Sequence, residues 1–162
     1  MTTYLSLGQV LDLQRRQIRL FGGAPGLRDR GALEAAVARP QTTFGGEDLY
    51  PEIADKAAAL MHSLVMNHPF VDGSKRVGAH ACILFLIANE AEPTFSPAEL
   101  TSITLAVARG QVTAEALSIW LRQRTRHREA PFDGQRADHS LGRSRGLVND
   151  PGYARRAKSL AW

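Results

Sequence analysis

An imidazole, a carboxylate, a glycine, a hydroxyl and two cations fall within one short stretch, Asn67-His68-Pro69-Phe70-Val71-Asp72-Gly73-Ser74-Lys75-Arg76. An apolar helical run from Ala57 to Met66 precedes it and another, from Ala79 to Ala88, follows. Polar groups of this kind are costly to place between two core helices unless they meet a ligand or one another. Ser74, as the cap of a helix beginning near Lys75, would leave the first backbone N–H groups facing the loop. Gly73 lets a bulky group approach the backbone. The positive end of the helix dipole and the two cations favour phosphate. Asp72 suits a magnesium ion carrying that phosphate, and His68 is the one group here that exchanges a proton near neutral pH. A loop of mutually bonded polar groups would explain an isolated His or Asp. It does not call for the whole set with glycine where phosphate needs access.

Two helices must hold this loop. The first, starting after Pro51, carries an apolar stripe of Ile53, Ala57, Leu60, Met61, Leu64 and Val65, with His62 off the stripe. Pro51 suits its first turn, and Pro69 ends it at Asn67. The second, Lys75 to about Asn89, is apolar almost all round, which predicts a buried central helix with the motif at its N-terminus. Gly78 and Ala79 keep its first turns thin. His80 is read as a core histidine and Cys82 as a small buried hydrophobe. Around this pair, Ser6-Leu7-Gly8-Gln9 opens a helix running to Gly22, and a short helix spans about Ala32 to Ala38 and stops at Pro40. Residues 41–50 hold a Gly-Gly turn that fits a small hairpin or an open loop. Ser96-Pro97-Ala98-Glu99 and Thr113 start two further helices. Leu117, Ile119, Trp120 and Leu121 of the last are expected to face inward, and Arg122, Arg124 and Arg126 to sit at its C-terminal end.

Charge divides the chain. Residues 1–126 hold 13 basic and 12 acidic residues, whereas residues 127–162 hold 7 and 4, so the tail supplies +3 of the net +4. The expected organisation is one helical domain over residues 1–126 and a basic, mobile tail over 127–162, with one short helix near Tyr153 to Leu160. A tail-borne charge is weak evidence for nucleic acid binding. The single cysteine excludes an internal disulfide and fits a reducing cytosol. The longest apolar run, Ala81 to Ala88, is too short to cross a bilayer. A cytoplasmic protein with no membrane partner is expected.

The motif resembles that of the Fic/Doc family, which runs His-Pro-Phe-x-Asp/Glu-Gly-Asn-Gly/Lys-Arg. Every fixed position matches except Ser74, which stands where the family has Asn. The resemblance covers roughly residues 4–126. Gly26-Leu27-Arg28-Asp29, Ala38-Arg39-Pro40 and the segment Arg76 to Ala88 are similar to the Doc (death-on-curing) branch. It implies an all-α fold, a compact helical bundle around a buried central helix, with residues 41–50 as a flap that holds a target polypeptide. It implies that His68 is the general base, that Asp72 ligates Mg²⁺, that Gly73, Ser74 and Lys75 present N–H groups to the phosphates of ATP, and that Lys75 and Arg76 neutralise charge on the transferred group. Most Fic enzymes have Gly at the position of Lys75 and transfer AMP; the Doc branch has Lys and transfers the γ-phosphate. The resemblance therefore implies a toxin of a type II toxin–antitoxin system that phosphorylates a hydroxyl of elongation factor Tu and arrests translation. Its partner would be a Phd-like antitoxin, consistent with the lack of a Ser/Thr-x-x-x-Glu inhibitory motif in a plausible flanking helix. Two alternatives stay open: AMP transfer, and a weakened nucleotide- or antitoxin-binding module, since Ser74 lacks the carboxamide of Asn. A nucleic-acid binder using the Arg-rich tail ranks behind both, because the tail has few aromatics and no recognisable module.

Overall fold

The structure, a computed structural model, describes residues 1–127. Nearly all of the expected tail, and the short helix placed near Tyr153 to Leu160, lie outside the described residues. Six α-helices and four short strands make up the described chain, so the helical bundle expected from the sequence is what forms.

Helix α1 (Leu7–Phe21) starts on a reciprocal cap between Ser6 and Gln9 and ends at Gly22, whose φ of 80° continues no helix. It buries Gln14 and Gln17 beside Val10 and Leu13. Helix α2 (Arg30–Ala38) begins two residues earlier than expected because the Asp29 carboxylate accepts the Ala32 N–H at 3.0 Å. A single 3-10 turn, Arg39–Gln41, absorbs Pro40. Strands β1 (Thr43–Phe44) and β2 (Glu47–Asp48) then form the small hairpin around Gly45 and Gly46. Both glycines have positive φ, as a two-residue turn requires.

Helix α3 (Ile53–Asn67) begins after Glu52, whose N–H is bonded to the Asp55 carboxylate at 3.1 Å. Pro51 therefore stands outside the helix and not in its first turn. Helix α4 (Ser74–Ala88) is the hub: every residue from Val77 to Leu86 is buried, and α1, α3, α5 and β3 pack on it. Its seam with α3 is closed at Gly78. A β-carbon there would lie 2.7 Å from Val65 Cγ2 and 3.3 Å from the Met61 carbonyl oxygen. No other residue type fits that crossing without displacing a neighbour.

Strand β3 (Ala91–Pro93) leads to α5 (Pro97–Ala108), capped by Ser96 and Glu99, and α6 (Ala114–Gln123), capped by Thr113. Strand β4 (Thr125–His127) returns antiparallel to β3, pairing Ala91 with His127 and Pro93 with Thr125. The sequence did not reveal this pair. It also corrects the arginine reading. Arg122 lies in the last turn of α6, Arg124 caps it, and Arg126 sits in β4, paired with Glu92. Ile119, expected to face inward, is 54% exposed.

Helices α3 and α6 are tied by the buried Asp55 carboxylate, which accepts from Ser118 and Arg122. Burial pushes its pKa up, but those two bonds, the Glu52 N–H and the Arg122 charge outweigh that and hold it below the usual value. Lys56, fully buried, donates to Asp48 at 3.1 Å and to the Tyr50 carbonyl, fastening the hairpin base to the start of α3. Among the described residues no helix is long and apolar enough to cross a membrane.

Candidate active site

The loop between α3 and α4 is shaped by two residues in the left-handed region. His68 closes α3 with φ 45° and ψ 56°. Gly73 opens α4 with φ 85°. Pro69 denies His68 the right-handed helical region. A left-handed conformation costs a non-glycine residue about 1–2 kcal/mol, so contacts must hold it. They come from the connection between α1 and α2. The Arg28 guanidinium donates through Nε to the His68 carbonyl at 2.6 Å and through Nη2 to the Asn67 carbonyl at 2.7 Å. The N–H groups of Arg28 and Asp29 both reach the Pro69 carbonyl, and that of Val71 reaches the Gly26 carbonyl. Leu27 and Phe70 form an antiparallel bridge. Phe70 is 2% exposed and anchors the loop in the core.

Asp72 is exposed, and its Oδ2 accepts the Ala24 N–H at 2.7 Å. Gly23 passes so close that a β-carbon there would lie 3.3 Å from Asp72 Cβ. Among the described residues no three His, Cys, Asp or Glu side chains converge. A lone carboxylate beside a helix N-terminus is nevertheless the donor set that suits magnesium, which takes its remaining ligands from phosphate and water. Asp72 Oδ1 is the atom that fits it.

Ser74 departs from expectation. The cap of α4 is Gly73, and Ser74 is the first helical residue. It is 7% exposed, and its Oγ accepts the Phe70 N–H at 3.3 Å, so the hydroxyl braces the loop from within. The physical reason is the turn itself: the chain must pass through positive φ to enter α4, and glycine does so at little cost. The open helix end survives the change. The first bond within α4 runs from the Val77 N–H to the Gly73 carbonyl, so the N–H groups of residues 74–76 have no acceptor inside the helix.

Lys75 is exposed. Arg76 is half-buried, with its guanidinium 4.8 Å from the centre of the Phe21 ring. All six expected site residues, His68, Asp72, Gly73, Ser74, Lys75 and Arg76, thus border one helix end. Sequence reasoning missed Arg28, Ala24 and Gln14, whose side-chain amide reaches the Asp72 carbonyl at 3.4 Å. These residues act on or through backbone groups far off in sequence; Arg28 lies in the Gly26-Leu27-Arg28-Asp29 segment noted above, but nothing local gives it this role. Two cavities, of about 430 and 520 Å³, border the first turn of α3.

His80 is fully buried and belongs to the core. Burial and the nearby Arg76 charge push its pKa down to about 4. Below the ordinary value of 6.5 the unfolded chain binds a proton that the folded chain refuses until about pH 4. Stability should therefore fall as pH drops through that window, by roughly 3 kcal/mol at 1.36 kcal/mol per unit. Urea unfolding at pH 7 and pH 5 should show the loss, and His80→Gln should flatten it. Coincident profiles for the two proteins would rule out His80 as the source.

The Fic/DOC family model matches residues 4–86. Toxin Doc of Mycolicibacterium smegmatis is 55% identical over 69 residues, 43% of this chain and 53% of that protein. The match thus spans about half the length of that relative. Protein kinase doc of Escherichia phage P1 is 28% identical over 120 residues, 74% of this chain and 94% of that protein.

Proposed function

We propose, because this chain belongs to the Fic/DOC family and to its Doc branch, that it is a toxin transferring the γ-phosphate of ATP to a hydroxyl of a protein. The supporting observation is the placing of His68, Asp72 and Lys75, all exposed, around the open N-terminal amides of α4. His68 takes the proton of the acceptor hydroxyl as that oxygen bonds to the γ-phosphorus and the bond to the β–γ bridging oxygen breaks, releasing ADP. The N–H groups of Gly73, Ser74 and Lys75 receive the phosphate oxygens, and the Lys75 and Arg76 side chains offset their charge. Magnesium, when held by Asp72 Oδ1, supplies further neutralisation of the phosphates. By likeness to the Doc branch, the acceptor is elongation factor Tu in the cytoplasm, the outcome is arrested translation, and a Phd-like antitoxin restrains the toxin.

Purified protein, a bacterial lysate and ATP labelled at either the α- or the γ-phosphate test this reading. Label from γ on a lysate protein is the expected result. Label from α would replace it with AMP transfer, and label from neither would overturn catalysis.

Ser74 favours one refinement. Its oxygen accepts from Phe70, which leaves one short hydroxyl O–H to donate. A carboxamide at this position can accept from Phe70 and still donate two N–H bonds from a longer side chain. Ser74→Asn should raise the transfer rate, by up to about 10²-fold if one oriented donor is added. The larger side chain in a buried position should cost about 1–3 kcal/mol of stability. An unchanged or lower rate would show that Ser74 does not limit the reaction.

A further inference from the structure

We propose that Arg28 is a positioning residue for His68, setting the direction of the imidazole from outside the motif. The inference rests on reading His68 as the base and adds the group that presents it. The Asn67 and His68 carbonyls belong to the two peptide groups that flank the His68 α-carbon. Their relative orientation is the φ, ψ pair of His68. In extended chain successive carbonyls point to opposite sides; in helical chain of either hand they point the same way. One planar guanidinium can therefore take both oxygens, at 2.7 and 2.6 Å, only when His68 is in a helical region. Pro69 removes the right-handed one. The left-handed conformation is what remains, and it is what the structure shows.

Arg28 is also well placed to do this. Its own N–H is bonded to the Pro69 carbonyl at 2.9 Å, so the side chain starts from a point fixed to the loop that it grips. It thereby contacts the chain both at His68 and immediately after it. The guanidinium is a cation at the C-terminal end of α3, where the last carbonyls lack helical partners. Lysine would place a charge there but not a two-pronged donor. Arg28 is exposed, so the bonds contribute orientation more than burial.

The test uses the full chain with Arg28→Met and Arg28→Lys. With γ-labelled ATP, Arg28→Met should lower kcat at least roughly tenfold while KM for ATP stays within about twofold, because misplacement of a reacting group harms the chemical step more than binding. Arg28→Lys should recover only part of kcat. The ¹³Cα and ¹³Cβ chemical shifts of His68, assigned by comparison with His68→Asn, report its backbone conformation without turnover. They should leave their left-handed values in Arg28→Met. Unchanged shifts, or an unchanged kcat, would overturn the proposal. If the wild-type protein transfers label from neither the γ- nor the α-phosphate, the reading of His68 as the base fails by itself, and the shifts still decide whether Arg28 holds it.

Discussion

His68→Asn is expected to reduce γ-phosphate transfer by about 10²–10⁴-fold, the usual worth of a positioned general base. Asn is the informative replacement. It tolerates the left-handed conformation that His68 occupies, which Ala does less well, so the loop should keep its course. It cannot accept a proton at neutral pH. Nucleotide binding should change little, since in the proposed mode the phosphates would meet the first turn of α4 and not the imidazole. Label-transfer rates paired with calorimetric ATP binding on the same preparations separate the two effects. A variant that transfers label within tenfold of wild type would remove His68 as the base and leave electrostatic stabilisation by the helix end as the source of rate.

Gly78→Val should destabilise the described fold. Two effects compete at this position. Any side chain in place of glycine gains helix propensity, by about 0.3–1 kcal/mol. Against that, the new β-carbon would lie 2.7 Å from Val65 Cγ2 and 3.3 Å from the Met61 carbonyl oxygen, and a backbone carbonyl within α3 cannot swing aside. Overpacking of this kind costs about 1–3 kcal/mol, and valine adds two methyl groups to the same seam. The steric effect should win, with a net loss of roughly 1–3 kcal/mol, a sizeable share of a total near 5–15 kcal/mol. Gly78→Ala should fall between wild type and valine. Urea midpoints for the three proteins are the measurement. A wild-type midpoint for valine would mean that α3 and α4 do not touch there.

Much of this architecture was legible because its signals are local. Ser6 with Gln9, Ser96 with Glu99, and Thr113 cap helices where their spacing says they should. The uniform apolarity of residues 77–88 marked the hub before any contact was known. The misreadings share a cause, a choice settled by backbone geometry. Ser74 has the chemistry of a cap, but the turn into α4 demands positive φ, and Gly73 next to it meets that demand. Pro51 suits a first turn, yet the bond between Glu52 and Asp55 starts the helix later. The β3–β4 pair is too short to alternate visibly and joins segments more than thirty residues apart. Arg28 is the clearest case, since a surface arginine that grips two carbonyls forty residues away leaves no trace in composition or periodicity.

The attachment of the chain's beginning has a practical corollary. Thr3 exchanges two hydrogen bonds with the Asn89 side chain, just past the last turn of α4. The motif sits at the opposite tip, a helix of 15 residues away, or about 22 Å at 1.5 Å per residue. An affinity handle or surface tether built on Met1 therefore starts at the far pole from the chemistry. Immobilising the molecule by that end should leave the motif facing solution.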